Sequence, residues 1–249
     1  MPASNLGLSA VSKLAKRAAK PSYFSAATDP VSCRIVVLIS GSGTNLQALI
    51  DDLAGQGSLA SIVGVIANKA DAYGLQRAAN AGIATRTLSH RDFVDRAAFD
   101  QALQREIDAF NPDLILLAGF MRILTADFVK HYRGRLLNIH PSLLPKHKGL
   151  QTHQRALDEG DLEHGATVHF VTEELDGGPL ILQSRIKIIQ GDDAASLATQ
   201  VQQQEYLLFP LVVRWFAADR LHLNHDRACL DGGPIPASGL RLEDLESGI

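Results

Sequence analysis

Between residues 34 and 140, short apolar runs alternate with segments of helical spacing, and few folds accommodate that rhythm. "RIVVLIS" (34–40) is continuously apolar and rich in β-branched residues, as a strand buried on both faces requires. "LQALIDDLA" (46–54) follows with helical spacing, and Thr44 or Asn45 stands near its start. The unit then repeats. "SIVGVIAN" (61–68) reads as a strand and "AYGLQRAANAG" (72–82) as a helix ending at Gly82. "ATRTLS" (84–89) is a weaker strand before the helical "DRAAFDQALQREIDAF" (95–110). "DLILLAG" (113–119) and "RLLNIH" (135–140) are further strands. Parallel neighbours need crossover helices of this kind. The pattern therefore predicts an α/β fold: a mostly parallel, Rossmann-like twisted sheet with helices on both faces.

The rhythm changes in the second half. "HGATVHFVT" (164–172) alternates, and "LILQSRIKI" (180–188) follows it across "EELDGGP", which predicts an antiparallel addition to the sheet. Residues 193–219 read as one long helix, with a kink or break at Pro210. From Asp226 the chain is rich in Gly and Pro and reads as irregular. No repeat or linker divides the chain, so the expected organisation is a flexible extension over 1–30, one domain over 31–225 and an irregular tail over 226–249. The extension carries Lys13, Lys16, Arg17 and Lys20 against the single acid Asp29, among many Ser and Ala residues. It reads as dispensable rather than as a targeting signal. Removing residues 1–28 is expected to leave melting temperature and activity nearly unchanged.

Composition excludes several classes of partner. A net charge of −3 gives no global field toward nucleic acid or membrane, and no apolar run has the length of a span. The only cysteines, Cys33 and Cys229, build neither a disulfide framework nor a zinc ribbon and suit a reducing cytoplasm.

Chemistry concentrates at the ends of the strands. "SGSGTN" lies between the first strand and the first helix, where free N–H groups and close backbone approach suit a phosphate. It is no dinucleotide fingerprint, because Leu46 occupies the third glycine position, and no Gly-Lys-Ser/Thr follows for a P-loop. "AGFMRIL" (118–124) follows the fourth strand, where a ligand crevice can lie, but on these grounds it reads as core before it reads as the wall of such a crevice. In "NIHPSLLP", Asn138 and His140 stand two apart and so share a strand face, and Pro141 and Pro145 stiffen the chain beyond. Asp176 in "EELDGGP" is on these grounds simply a turn residue, although a carboxylate there could orient a histidine. His147, His153, His164 and His169 show no metal-ligand spacing, so no metal is expected.

Taken together, "VVLISGSGTNLQALID", "NKADAYGLQRA", "LAGFMRIL", the stretch from "GRLLNIHPSLLPKHKGLQTH" to "ELDGGPLILQ", and "VQQQEYLLFP" resemble the phosphoribosylglycinamide formyltransferases of purine synthesis. The resemblance runs from about Arg34 to Leu223. It implies direct attack of the amine of glycinamide ribonucleotide (GAR) on the formyl carbon of 10-formyltetrahydrofolate, without a metal or a covalent enzyme intermediate. It also implies the roles. Asn138, His140 and Asp176 match the catalytic trio. Gly43, Thr44 and Asn45 match the phosphate loop, and Gln202, Gln203, Gln204 and Glu205 the other ribonucleotide contacts. Arg96, Met121, Arg122, Ile123, Leu124, Asn138, Thr172, Glu173, Glu174, Leu175 and Asp176 match the folate site. The expected partners are small molecules only, and the expected state is a monomer or weak homodimer.

Methionyl-tRNA formyltransferase and formyltetrahydrofolate deformylase are the nearest alternatives of the same fold. The first carries a further C-terminal domain and the second an N-terminal regulatory domain, neither of which is expected in the residues flanking 34–223. A non-catalytic nucleotide-binding module would use the loop at Gly41–Asn45 but not Asn138, His140 and Asp176 together.

Overall fold

The computed structural model describes residues 32–55 and 57–246. The expected extension over 1–30 lies outside them. Strand β1 (Cys33–Ile39) sets the plan, because its alternate side chains enter different cores. Ile35, Val37 and Ile39 join Leu46, Leu49, Leu208 and Val212 on one face. Val36 and Leu38 join Phe99, Leu103, Ile107 and Phe128 on the other. A run apolar at every position is what a strand covered on both sides demands.

The remaining elements follow the strand–helix rhythm. They are α1 (Thr44–Leu53), β2 (Ala60–Ala67), α2 (Tyr73–Asn80), β3 (Thr85–Thr87), α3 (Arg96–Asp108), β4 (Leu114–Leu117), α4 (Ala126–His131) and β5 (Leu136–His140). Then come α5 (Thr152–Asp158), β6 (Glu163–Phe170), β7 (Leu180–Lys187) and α6 (Ala194–Ala217). Strands β8 (Leu221–Asn224), β9 (Arg227–Leu230), β10 (Gly233–Pro234), β11 (Leu240–Arg241) and helix α7 (Leu242–Glu246) complete the described chain. The main sheet has eight strands in the order β11-β7-β6-β5-β4-β1-β2-β3. Strands β5, β4, β1, β2 and β3 run parallel, and β6 and β7 add antiparallel. The strand order reverses between β1 and β4, the place where open α/β sheets leave a crevice at the carboxyl ends of their strands.

Helix starts are marked in the sequence. Asp95 accepts from the Ala98 amide at 2.7 Å, and Asp193 and Ser196 form a reciprocal capping box on α6. Two expectations need correction. Pro210 does not break α6, which runs unbroken through it. Leu208, Phe209, Pro210, Val212 and Val213 are all buried there, so tertiary packing holds a turn that lacks one backbone hydrogen bond. The tail is not irregular either. β8, β9 and β10 form a three-stranded sheet, and β11 adds parallel to β7 with Leu240 opposite Leu182. Strands of two to four residues carry too little periodicity to show in the sequence. None of the described helices is long and apolar enough to cross a membrane.

Candidate active site

The site grows from the carboxyl ends of β1, β4 and β5. After β1 the chain turns at Gly43, whose φ of 70° lies in the left-handed region. A Cβ on Gly43 would stand 2.5 Å from the Gly74 Cα, because the start of α2 is hydrogen-bonded onto this loop through Gly74 N–H and the Gly41 carbonyl at 3.1 Å. The loop's shape therefore depends on glycine. Its next residues are held by α6. The Gln202 amide donates to Thr44 Oγ1 at 3.0 Å, and the Asn45 amide donates to Glu205 Oε2 at 2.8 Å. Gln202 and Glu205 are three apart and share a helix face. Gln204 lies off that face and accepts from the Ser184 hydroxyl of β7 at 2.6 Å, and Gln203 is exposed. The structure thus brings Gln202 and Glu205 to the loop, but not Gln203 or Gln204. Burial pushes the Glu205 carboxyl up, opposed by the Asn45 hydrogen bond, and Asn45 Oδ1 is buried without a partner. A polar nest with spare capacity, beside a helix N-terminus, is suited to a polar anionic ligand. Gly43→Ala is expected to raise the KM for the phosphorylated substrate at least tenfold with a smaller effect on folate binding. Equal losses for both substrates would contradict the assignment.

After β5, Asn138 and His140 meet the connection between β6 and β7. Asn138 sits directly opposite His169 in the antiparallel pair. The His169 ring donates from Nδ1 to the Phe170 carbonyl at 2.8 Å, which leaves Nε2 to accept from the Asn138 amide at 3.0 Å. His169 is therefore neutral. Burial holds its imidazole down at about 4, against the Phe170 carbonyl and Asp176, which favour the cation. His140 Nε2 lies 2.9 Å from the carbonyl of His147 and donates to it. Its Nδ1 lies 3.5 Å from Asp176 Oδ2, too long for a good hydrogen bond, and the two side chains are only 7% and 10% exposed. Asp176 is fixed by the Gly149 amide at 2.8 Å and lies 3.8 Å from His169 Nε2. It adopts a φ of 47°, and a Cβ at Gly178 just beyond would fall 1.8 Å from the Phe170 carbonyl oxygen. The "DGG" sequence is thus needed for the path as well as for the carboxylate.

The loop after His140 is braced by buried polar groups. Thr167 donates to the Ser142 carbonyl at 2.7 Å and accepts from the Leu144 amide at 3.2 Å. Gln183 donates to the Leu144 carbonyl at 2.8 Å, and Ser142 Oγ donates to the Lys146 carbonyl at 2.7 Å. The Leu144–Pro145 peptide is cis. These contacts carry the His147 carbonyl to His140.

The residues matched to folate fall into two groups. After β4, the Met121 amide donates to Ser40 Oγ at 2.8 Å, tying that loop to the end of β1. Met121, Ile123 and Leu175 are 62%, 56% and 50% exposed, an unusual amount of apolar surface to leave open beside a polar cluster. Leu124 packs into the core below, and Arg122 lies over the Phe99 ring at 5.9 Å. Arg96, the first residue of α3, is exposed, as are Glu173 and Glu174, which pair with Lys130 and Lys148; Thr172 is half-buried. His169 is the site residue that sequence reasoning missed. Its signal was available only through strand register: residue 169 alternates onto the face where 138 stands.

Further histidines lie behind the loop. His153 Nδ1 and His164 Nε2 are 3.0 Å apart, and burial, aided by His153 and His147 and opposed by Asp161, holds His164 down at about 4. His153 lies below its ordinary value, through burial and then His140. Among the described residues, His147, Glu159 and Asp161 bring ligand atoms within 4.8 Å of one another. Both Asp161 oxygens are already engaged there, by Lys146 at 2.6 Å and His147 at 2.7 Å, which hold its carboxyl low. Free imidazoles titrate near about 6.5. Between there and about 4 the unfolded chain binds more protons than a fold holding His164 and His169 neutral. Stability is therefore full above about 6.5 and falls as pH drops through that window. The thermal midpoint is expected to decline steadily from pH 6.5 to pH 4, and His164→Gln to make that decline shallower. A midpoint that stays level over the window would show that these imidazoles are not held neutral.

Comparison with known proteins agrees with this geometry. The profile of the formyl transferase family matches residues 33–213. The phosphoribosylglycinamide formyltransferase of Escherichia coli is 53% identical over 210 residues, 84% of this chain and 99% of that protein. The protein of the same name from Haemophilus influenzae is 47% identical over the same shares. Among solved structures, the phosphoribosylglycinamide formyltransferase of Coxiella burnetii superposes with a TM-score of 0.81 at 50% identity, covering 84% of this chain and 99% of that one. With a matching profile over most of its length and a relative 53% identical across 84% of it, this chain belongs to the formyl transferase family.

Proposed function

We propose that the protein transfers the formyl group of 10-formyltetrahydrofolate to the amine of GAR, a step of purine biosynthesis. The observation that carries this is the meeting of Asn138, His140 and Asp176 at the end of β5, next to the β4 loop and two strands from the glycine loop of β1. That spacing gives the phosphate of one substrate, the ring system of the other and the reacting carbon separate places along one crevice.

The amine adds to the formyl carbon, a C–N bond forms, and negative charge gathers on the formyl oxygen. Two donors face it. The Asn138 amide keeps one N–H beyond the one given to His169, and His140 presents Nδ1–H, which Asp176 holds only loosely. The His147 carbonyl fixes the opposite side of the ring, so donors are in place before charge develops. The tetrahedral adduct then collapses. The bond from the formyl carbon to the folate nitrogen breaks, that nitrogen takes up a proton, and the added amine gives one up. Asp176 offers the nearest carboxylate for the amine proton. Gly43, Thr44 and Asn45, backed by Gln202 and Glu205, hold the ribonucleotide phosphate and sugar. Met121, Ile123 and Leu175 cover the apolar rings of the folate.

The test is direct. Purified protein mixed with GAR and 10-formyltetrahydrofolate should produce formyl-GAR and tetrahydrofolate in equal amounts. Release of formate in place of formyl-GAR would mean a hydrolase, and formylation of methionyl-tRNA alone would mean a different acceptor.

A further inference from the structure

The imidazole of His147 faces a carboxylate on each side, and only one of the two is hydrogen-bonded to it. Its Nε2 lies 2.7 Å from Asp161 Oδ2 and donates to it. Its Nδ1 lies 3.6 Å from Glu159 Oε1, too long for a hydrogen bond, and is buried without a partner. The ring is only 2% exposed, and a polar nitrogen shut away from water and left unpaired costs stability. Glu159 is the other half of the anomaly. Its carboxylate is 57% exposed and makes no other ion pair or hydrogen bond among the described residues. Local backbone holds all three groups in place. Residue 147 has a φ of 54°, which directs the chain at the end of the braced loop. Glu159 ends α5, its amide donating to the Arg155 carbonyl at 3.0 Å, and the Asp161 amide donates to the Ala156 carbonyl at 3.0 Å.

This is the form of a metal ligand with its outer partner already in place. A histidine that binds a metal through one nitrogen donates the other N–H to a carboxylate, which fixes the tautomer and makes the free nitrogen more basic. Asp161 does this for His147, and Lys146 at 2.6 Å holds Asp161 in turn. Nδ1 is left with a lone pair beside the Glu159 carboxylate. Two ligands of a tetrahedral zinc, with bonds of ~2.1 Å, stand about 3.4 Å apart. The 3.6 Å between Nδ1 and Oε1 is close to that separation. A second proton on the ring fills the gap less well, because its N–H would point at a carboxylate without bonding it. The surroundings do not repel a cation. Burial holds His164 down at about 4 and His153 below its ordinary value, so both rings are neutral at neutral pH. A surface cavity lies alongside, lined by His147, Asp161 and His164. Of its three cations, Lys146 and Arg185 are paired, with Asp161 and Glu163.

We propose that His147 Nδ1 and Glu159 bind a divalent ion of the zinc class, with Asp161 orienting the ring and water completing the ion's shell. One imidazole and one carboxylate suit zinc, nickel or copper rather than magnesium or calcium. The site takes no part in formyl transfer and does not depend on that reading. Its link to the crevice is residue 147 itself, whose carbonyl holds His140 at 2.9 Å. An ion on the imidazole of this residue braces, from behind, the loop that orients the reactive ring.

The experiment titrates chelator-stripped protein with Zn²⁺ in a calorimeter. Wild type is expected to bind with micromolar affinity, and its thermal midpoint should rise with added Zn²⁺. Glu159→Gln alters an exposed side chain, so the fold should stand, while affinity falls about tenfold or more and the thermal shift disappears. Asp161→Asn should weaken binding by about 10–100-fold, as loss of an outer partner does. His164→Gln should leave binding unchanged, and Cu²⁺ in place of Zn²⁺ should show a single coordinating imidazole by electron paramagnetic resonance. A wild type without saturable binding overturns the proposal and makes His147 an ion-pair bridge between two acids. Unchanged affinity in Glu159→Gln overturns it as well. Binding lost in His164→Gln but kept in Glu159→Gln would place the ion on the His153–His164 pair instead.

Discussion

His140→Ala is expected to lower kcat by about 10³ while GAR still binds with near wild-type affinity. The ring supplies the donor on the reacting side of the crevice, and no other side chain within hydrogen-bond reach can replace it. Asn138 can give only one further N–H, because the other goes to His169. The phosphate nest lies two strands away, held by Gln202 and Glu205 of α6, and shares no contact with His140. Calorimetric titration with GAR and a steady-state rate measurement on the same preparation separate the effects. Binding lost together with activity would make His140 a structural residue. His140→Gln keeps a donor near the ring position and should recover part of the loss.

Asp176→Asn should cost about 10² in kcat at neutral pH. The change keeps the size of the side chain, and Asn tolerates the left-handed backbone that Asp176 adopts at φ 47°. The Gly149 amide can still donate to its oxygen, so the loop should keep its path. The charge facing His140 Nδ1 is gone, and with it the carboxylate placed to take the amine proton. A rate profile that superimposes on wild type would reduce Asp176 to a turn residue, the role that its sequence context alone suggests. Circular dichroism of the variant should match wild type, which keeps the result from being a folding artefact.

The parallel half of the fold was legible because its signal is continuous: a strand buried on both faces must be apolar at every position, as β1 is from Ile35 onward and β4 throughout. Asn138 and His140 stood out for a similar reason, as polar residues ending such a run. The resemblance then supplied Asp176, whose local sequence says only that the chain turns. His169 needed the register of β5 against β6, which no local pattern carries. The anchor of His140 is a carbonyl, and carbonyls have no sequence signature. Helices α4 and α5, of 6 and 7 residues, are too short for a helical period to stand out, and the strands after Asp226 are shorter still. Of Gln202 to Glu205, only the first and last bond the loop, because consecutive helix residues look in different directions.

The bond from His140 to the carbonyl of His147 makes the orientation of the reactive ring a property of the chain's course rather than of any side chain. Every amino acid brings the same carbonyl, but position 147 is constrained for other reasons: its φ is 54°, and its buried imidazole bonds Asp161 at 2.7 Å. The burden is shared by the groups that steer the loop to that spot: Thr167, Gln183 and Ser142. A map of tolerated substitutions should therefore show intolerance both at position 147 and at the residues that brace the loop one step further out.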